Sequence, residues 1–131
     1  MNYDLNIMQK EINPSVRERI SELIIDSIRH EGYYFYESSA DLIYLLQMFS
    51  NFKIPDIFLL SDGDFQAIWK NEILFEEIKI KFLGGGLLEY QIVKNPFLEE
   101  QTKELWQGHT NLLDIIKILE DTNTLKILMK E

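Results

Sequence analysis

The side chains that most often bind metal ions are scarce in this sequence. It contains two histidines, His30 and His109, and no cysteine. Zinc and most transition metals prefer imidazole and thiolate ligands, and a site needs several of them close together. Neither histidine has a neighbour at ligand spacing. The sequence therefore predicts no metal site and no cofactor, and we expect His30 to occupy an exposed helix end.

Paired carboxylates could serve general acid–base catalysis, and two pairs occur, Glu76-Glu77 and Glu99-Glu100. Adjacent residues point to opposite faces of a strand, and on a helix they diverge by about 100°. Neither pair can act as a dyad by itself. The Asp62-Gly63-Asp64 segment resembles part of a calcium loop, but the other ligands are missing, and Asp-Gly is typical of a hairpin turn.

Two further segments fit structural roles better than catalytic ones. Ser38-Ser39 has no neighbouring base and fits a helix N-cap. The three glycines 84–86 are not followed by a helix start or by Lys-Ser/Thr, so we expect a chain reversal and not a phosphate loop. No catalytic residue is predicted, and we expect the protein not to be an enzyme. An enzyme with scattered carboxylates is the alternative that one sequence leaves open.

Helical periodicity dominates the first third of the chain. Asn13, Pro14 and Gly32 are typical of the start and stop of a helix over 13–32. Its apolar face is predicted to consist of Val16, Ile20, Leu23, Ile24 and Ile28. A second helix is predicted from Ser38 or Ser39 to a point before Pro55, with Leu42, Leu45, Leu46 and Phe49 as its buried stripe. The stretch between these helices, 33–36, is four consecutive aromatic residues.

The middle of the chain alternates with the period of β-strands. Turns are predicted at 61–64, 70–72 and 84–86, so consecutive strands should be antiparallel neighbours in a meander of about four strands. Phe65, Ala67 and Trp69 share one face, which we expect to be the core face. After residue 96 the pattern is helical again, with a short helix over 97–108 and a stronger one over 110–121. The core-facing residues of the stronger helix are predicted to be Leu112, Leu113, Ile116 and Leu119. The predicted fold is α+β, with N-terminal helices and a C-terminal helix packed on one face of the sheet.

About half of the chain resembles a pattern in small, uncharacterised bacterial proteins. These have a DGY turn, a helix, a proline, then DGG and a tryptophan-bearing strand followed by an alternating strand. Gly32-Tyr33, Pro55, Asp62-Gly63, Trp69 and the strand of Ile78 and Ile80 match in order. The second glycine of DGG is Asp64 here, and Glu31 precedes Gly32. The resemblance implies a similar size and architecture, and it implies no activity or cofactor.

Length and charge limit the classes of function that fit this sequence. A chain of 131 residues is expected to form one domain, 1–131, with room for a core. The absence of cysteine fits a reducing compartment such as the cytoplasm, and the sequence predicts neither a secretory signal nor a membrane span. The net charge of -9 disfavours direct binding of nucleic acid, and it favours either solubility or a basic protein partner.

These features favour a small acidic inhibitor that neutralises a partner protein, such as an antitoxin, an immunity protein or a phage anti-defence protein. The acids could occupy a basic nucleic-acid-binding surface of that partner. A secretion-type chaperone or an accessory structural protein is the alternative. The oligomeric state stays open. The predicted partner-binding residues form a mixed aromatic and acidic set: Tyr34, Tyr36, Glu37, Asp41, Asp56, Asp62 and Asp64.

In an extended connector, alternate residues point opposite ways. We therefore expect Tyr33 and Phe35 to face one side and Tyr34 and Tyr36 the other. The Phe35 side should be buried, and at least one of Tyr34 and Tyr36 should be exposed beside Glu37.

Overall fold

The computed structural model describes residues 13–30, 32–48, 51–73, 75–94 and 104–129. The predictions for Phe49 and for Glu99-Glu100 lie outside these ranges. The elements follow one another as α1 (Pro14–Arg29), α2 (Tyr36–Met48), β1 (Asp56–Leu59), β2 (Phe65–Asn71), β3 (Glu76–Gly84), β4 (Leu87–Lys94), β5 (Glu104–Asn111), α3 (Ile115–Asp121) and α4 (Leu125–Leu128).

The strands form one antiparallel meander in the order β1-β2-β3-β4-β5. Helices from both the N-terminal and the C-terminal part of the described chain contact this sheet. The α+β prediction is therefore confirmed, because alternating strands with short links pair with their neighbours and the helices cover their apolar face. None of the helices in the described ranges has the length and apolar character needed to cross a membrane.

The core lies between the helices and one face of the sheet. In adjacent strands Phe65 pairs with Phe82, Ala67 with Ile80 and Trp69 with Ile78, and all six side chains are buried. Trp69 is 2% exposed, and its indole N–H donates to the Lys53 carbonyl over 2.9 Å. The predicted face of β2 is thus the core face, and the polar partner for Trp69 comes from the segment that precedes β1.

Helix α1 begins where the sequence predicts. The Asn13 side chain accepts a hydrogen bond from the Ser15 N–H over 2.8 Å, and Pro14 occupies the first helical position. Val16 and Ile20 are buried, whereas Ile28, predicted on the same apolar face, is exposed. The helix is therefore anchored to the core through its first half.

Strand β5 differs from the prediction. Residues 104–108 were expected in a short helix, but each residue from Glu104 to Asn111 pairs with β4. The pairing satisfies backbone groups and turns Trp106 toward the core face, in register with Ile92. The meander therefore has five strands and not four, because a neighbouring strand overrides a weak local helical pattern.

Helix α3 begins later than predicted. Asn111 accepts hydrogen bonds from the backbone N–H groups of Leu113 and Asp114, each over 2.9 Å, and so holds a turn before the helix. Leu113 was predicted to face the core and is 76% exposed on that turn, whereas Leu119 is fully buried. The chain then forms α4, and Met129 after it makes an isolated antiparallel bridge to Phe52.

Helix α2 begins at Tyr36, before the serines that were predicted to cap it. Ser38 and Ser39 are instead buried in its first turn. The Ser38 hydroxyl accepts from the Phe65 N–H over 2.8 Å and donates to the Phe82 carbonyl. This hydroxyl therefore bridges β2 and β3 at the end of their ladder, where the register of β3 shifts.

Candidate functional site

All of the predicted site residues except Asp56 lie near one end of the sheet, where the β1–β2 and β3–β4 turns are found. The connector 32–35 crosses this end and leads into α2. The Phe35 N–H donates to the Gly63 carbonyl over 2.8 Å, which ties the connector to the β1–β2 turn. The Leu112 N–H donates to the Gly86 carbonyl over 2.9 Å, which ties the β5–α3 turn to the β3–β4 turn. Four chain segments thus meet at one end of the molecule.

Two aromatic rings of the connector rest on turn glycines. A Cβ placed on Gly63 would lie 2.3 Å from the Tyr33 ring, and one placed on Gly84 would lie 2.3 Å from the Phe35 ring. Both glycines have a φ of +91°, which other residues rarely adopt. The rings therefore occupy space that only glycine leaves, and the connector has a defined position on the two hairpins.

The exposed side chains at this end include Tyr33, Tyr36, Glu37 and Asp62, and we call these four together the acidic–aromatic end. Tyr33 is 63% exposed and Tyr36 is 68% exposed. Tyr34, in contrast, is half-buried against the core. The prediction that at least one of Tyr34 and Tyr36 is exposed beside Glu37 is therefore confirmed by Tyr36.

The two faces of the aromatic run are less distinct than predicted. Phe35 is half-buried, and Tyr33 contacts Gly63 with one part of its ring while most of the side chain faces solvent. The expectation that Tyr33 lies with Phe35 on a buried side is wrong, because Tyr33 packs one part of its ring on Gly63 at the surface of the β1–β2 turn. Tyr36 is exposed as predicted, although it already belongs to α2.

A three-residue charge cluster supports the β1–β2 turn. Lys81 on β3 forms an ion pair and hydrogen bond with Asp62, and its ammonium lies 3.8 Å from the Asp64 carboxylate. The hydrogen bond from Lys81 lowers the pKa of Asp62, and the same contact raises the pKa of Lys81. Partial burial, followed by the charge of Asp62, raises the pKa of Asp64. Asp62 therefore stays ionised to a lower pH than an unpaired aspartate, while its charge is paired with that of Lys81.

Asp41 does not belong to the exposed surface. Its side chain is 1% exposed, and its carboxylate accepts a hydrogen bond from the Gly86 N–H over 2.8 Å. The expectation that Asp41 is an exposed acid is wrong. It lies three residues after Ser38, so both side chains project from one face of α2 onto the sheet. A carboxylate on that face can reach the β3–β4 turn but not a partner.

Asp56 is exposed but lies away from the acidic–aromatic end. It begins β1 and pairs with Ile68, whereas the β1–β2 turn follows the other end of that strand.

The sequence analysis did not predict that Tyr33 and Leu113 are exposed side chains near the turns. For Leu113 the sequence contains an indication of this exposure, because the flanking residues Asn111 and Asp114 are typical of a turn.

The open face of the sheet contains a shallow polar concavity of about 530 Å³. Its lining includes Lys79, Gln91 and Gln107 in one cross-strand row and Lys81, Glu89 and His109 in the next. Among the described residues that line it, Glu89 is the only acid, so this concavity offers no pair of carboxylates. Within the described ranges, no group of three or more metal-ligating side chains comes together.

Comparison of the chain with protein-family models, with curated proteins and with solved structures found no match.

Proposed function

We propose that this chain is a protein-binding module that neutralises a partner, and that it contacts a basic surface of that partner through the acidic–aromatic end. The observation that carries the proposal is the exposure of Tyr33 and Tyr36 beside Glu37 and Asp62, on a connector held against two hairpins. Tyrosine side chains lose little conformational entropy on binding and supply both apolar area and a hydroxyl, which makes them frequent contact residues.

Charge supports a basic partner. The chain has a net charge of -9, and the acidic–aromatic end carries Glu37 together with Asp62, whose charge is balanced in part by its ion pair with Lys81. Complementary potentials speed association and exclude acidic competitors. A partner that binds nucleic acid through lysines and arginines has the matching surface, so the class of antitoxin, immunity or anti-defence proteins is part of the proposal. The absence of cysteine supports a cytoplasmic location.

The test combines capture of the partner with a matched pair of variants. The wild-type chain is immobilised, and a stoichiometric partner is isolated from lysate and purified. Tyr36→Ala with Glu37→Lys should weaken its binding about tenfold or more, since a contact tyrosine and a steering charge are lost together. The association rate of the wild type should fall as NaCl is raised, and the variant should show a flatter dependence.

The control is Ile73→Ala with Glu72→Lys in the β2–β3 turn, at the opposite end of the sheet. It makes the same charge change and removes one exposed apolar side chain, because Ile73 is highly exposed. We expect this variant to bind like the wild type. If no stoichiometric partner is recovered, or if both variants bind equally well, the proposal is wrong.

A further inference from the structure

The two edges of the sheet are not equivalent. At the β1 edge, the Arg19 guanidinium of α1 donates to the Ile57 carbonyl over 3.1 Å, so a helix side chain occupies that edge. At the other edge, β5 pairs with β4 on one side, and no strand in the described ranges pairs with its other side. An unpaired strand edge is a template for pairing with another strand.

The hydrogen bond from the Leu112 N–H to the Gly86 carbonyl shows which β5 groups face outward. In an antiparallel ladder, hydrogen-bonded residue pairs alternate with non-bonded pairs. Because Gly86 and Leu112 form a bonded pair, the register makes the following pairs hydrogen-bonded as well: Leu88–Thr110, Tyr90–Gly108 and Ile92–Trp106. The backbone N–H and C=O groups of Leu105, Gln107 and His109 therefore point away from β4. They form a regular row of donors and acceptors along the edge.

Residues 104–111, which form β5, lack the features by which a strand's own sequence usually protects an edge. Residues 104–111 contain no proline and no lysine, and the β4–β5 register runs without a bulge. Glu104 is the only formally charged residue of the strand, in a chain whose net charge is -9. A second copy can therefore approach this edge without meeting a row of like charges. Leu105 on its open face is 48% exposed and would be covered there.

We propose that β5 pairs antiparallel with β5 of a second copy, which gives a continuous ten-stranded sheet. A two-fold axis perpendicular to the sheet at Gln107 places Gln107 opposite its own copy and Leu105 opposite His109 of the second copy. Trp106 then stands opposite Gly108 of the second copy, and Glu104 opposite Thr110. In this register the outward-pointing N–H and C=O groups of Leu105, Gln107 and His109 in each copy face the same groups of the other copy.

The size pattern of β5 suits this register. Glycine leaves a strand interior poorly covered, and an aromatic side chain on the neighbouring strand can cover it. Within one copy, the Tyr90 ring already approaches Gly108, with its hydroxyl 3.2 Å from where a Cβ would lie. Trp106 of the second copy would approach the same glycine from the unpaired side. The two-fold axis therefore places the large side chain of Trp106 in each copy opposite the small Gly108 of the other copy.

The dimer would leave the proposed binding surface free. Because the two β5 strands run antiparallel, the acidic–aromatic ends of the two copies lie at opposite ends of the joined sheet. Each copy could bind a partner, and the failure of either proposal would leave the other standing.

Sedimentation velocity of the purified wild-type chain at about 1 µM and about 200 µM tests the dimer, since self-association depends on concentration. We expect the mass to rise from 15.6 kDa toward twice that value. Gln107→Pro removes the outward N–H and should raise the dimer dissociation constant about tenfold or more, because two symmetry-related bonds are lost. Gln107→Thr keeps the N–H and should remain dimeric.

Cysteine substitution tests the register in a chain that has no other thiol. Directly opposed residues of a bonded pair lie about 5.5 Å apart at Cα, within disulfide reach. Gln107→Cys should therefore cross-link to its own copy under oxidation, and this readout also serves if Gln107→Pro does not fold. Phe58→Cys on the β1 edge is the control and should not cross-link. A wild-type monomer at the higher concentration, or equal cross-linking of both variants, would overturn the proposal.

Discussion

Two polar side chains on one face of α2 hold the sheet together at the end where its ladders stop. The Ser38 hydroxyl stands between the Phe65 N–H and the Phe82 carbonyl, and Asp41 receives the Gly86 N–H. Polar groups this deeply buried stabilise the fold only while both sides of the bond are present.

Removal of the Asp41 carboxylate should therefore lower the stability of the fold, and we expect no direct effect on partner binding. In Asp41→Ala the buried Gly86 N–H loses its acceptor, and we expect the free energy of unfolding to fall by about 1–3 kcal/mol. Urea titration followed by circular dichroism measures this change. Asp121→Ala, at the exposed end of α3, is the control and should stay within about 0.5 kcal/mol of the wild type. Equal stability of the two variants would contradict the structural role of Asp41.

The charge cluster at the β1–β2 turn predicts a shifted titration. Because Lys81 lowers the pKa of Asp62, that carboxylate stabilises the fold above its ordinary value of 3.8, and the contribution is lost as pH falls through the lowered value. In Lys81→Met the pKa of Asp62 should rise back toward 3.8. NMR titration of the side-chain carboxyl carbon measures it.

Asp64 provides the internal comparison for this titration. Its pKa is raised chiefly by burial, so its effect has the opposite sign: it favours the folded state below 3.8 and less so as pH rises through the raised value. Loss of Lys81 should raise this pKa further, because the lysine lowers it. A pKa of Asp62 that does not move in Lys81→Met would show that the ion pair is absent in solution.

At the scale of elements, the turns do more than reverse the chain. The β1–β2 turn and the β3–β4 turn each have a glycine at the position where an aromatic ring of the connector 32–35 packs. The Tyr33 ring contacts Gly63, and the Phe35 ring contacts Gly84. The connector is thereby held by hairpins that are distant from it in sequence. This arrangement positions Tyr33 and Tyr36 on a rigid support and not on a free loop.

Substitution of the β3–β4 turn glycines should separate this packing from backbone strain. Gly85→Ala keeps a left-handed φ of +64°, and its Cβ would lie 3.9 Å from the Glu37 carboxylate without a clash, so it should cost about 1–2 kcal/mol. Gly84→Ala adds a clash with the Phe35 ring and should cost about 3 kcal/mol or more. Thermal or urea unfolding of both variants measures the difference. Similar losses would mean that the Phe35 ring does not pack on Gly84.

At the scale of the whole molecule, the two proposed interactions occupy separate parts of the surface. The acidic–aromatic end lies beyond the β1–β2 and β3–β4 turns, and the unpaired edge is the outer side of β5. The first is acidic and aromatic, whereas the second is almost uncharged. The net charge of -9 opposes self-association in general, and the proposed dimer would form along a strand whose one formal charge is Glu104.

Local patterns determined much of the fold from the sequence alone. The start of α1 follows from Asn13 and Pro14, the hairpins from Asp62-Gly63 and the three glycines, and the core face of β2 from its alternation. These signals act between residues close in the chain, so they can be read without knowledge of the fold. The α+β class and the exposed Tyr36 were accessible in the same way.

Only the tertiary structure decided which acids reach the surface and how many strands the sheet has. Asp41 and Glu37 both stand in the first turns of α2, yet one is buried on the β3–β4 turn and the other is exposed. Residues 104–111 become a strand because β4 offers a register for all eight of them. Both outcomes depend on groups far away in sequence, whose hydrogen bonds outweigh local preferences of a few tenths of a kcal/mol per residue.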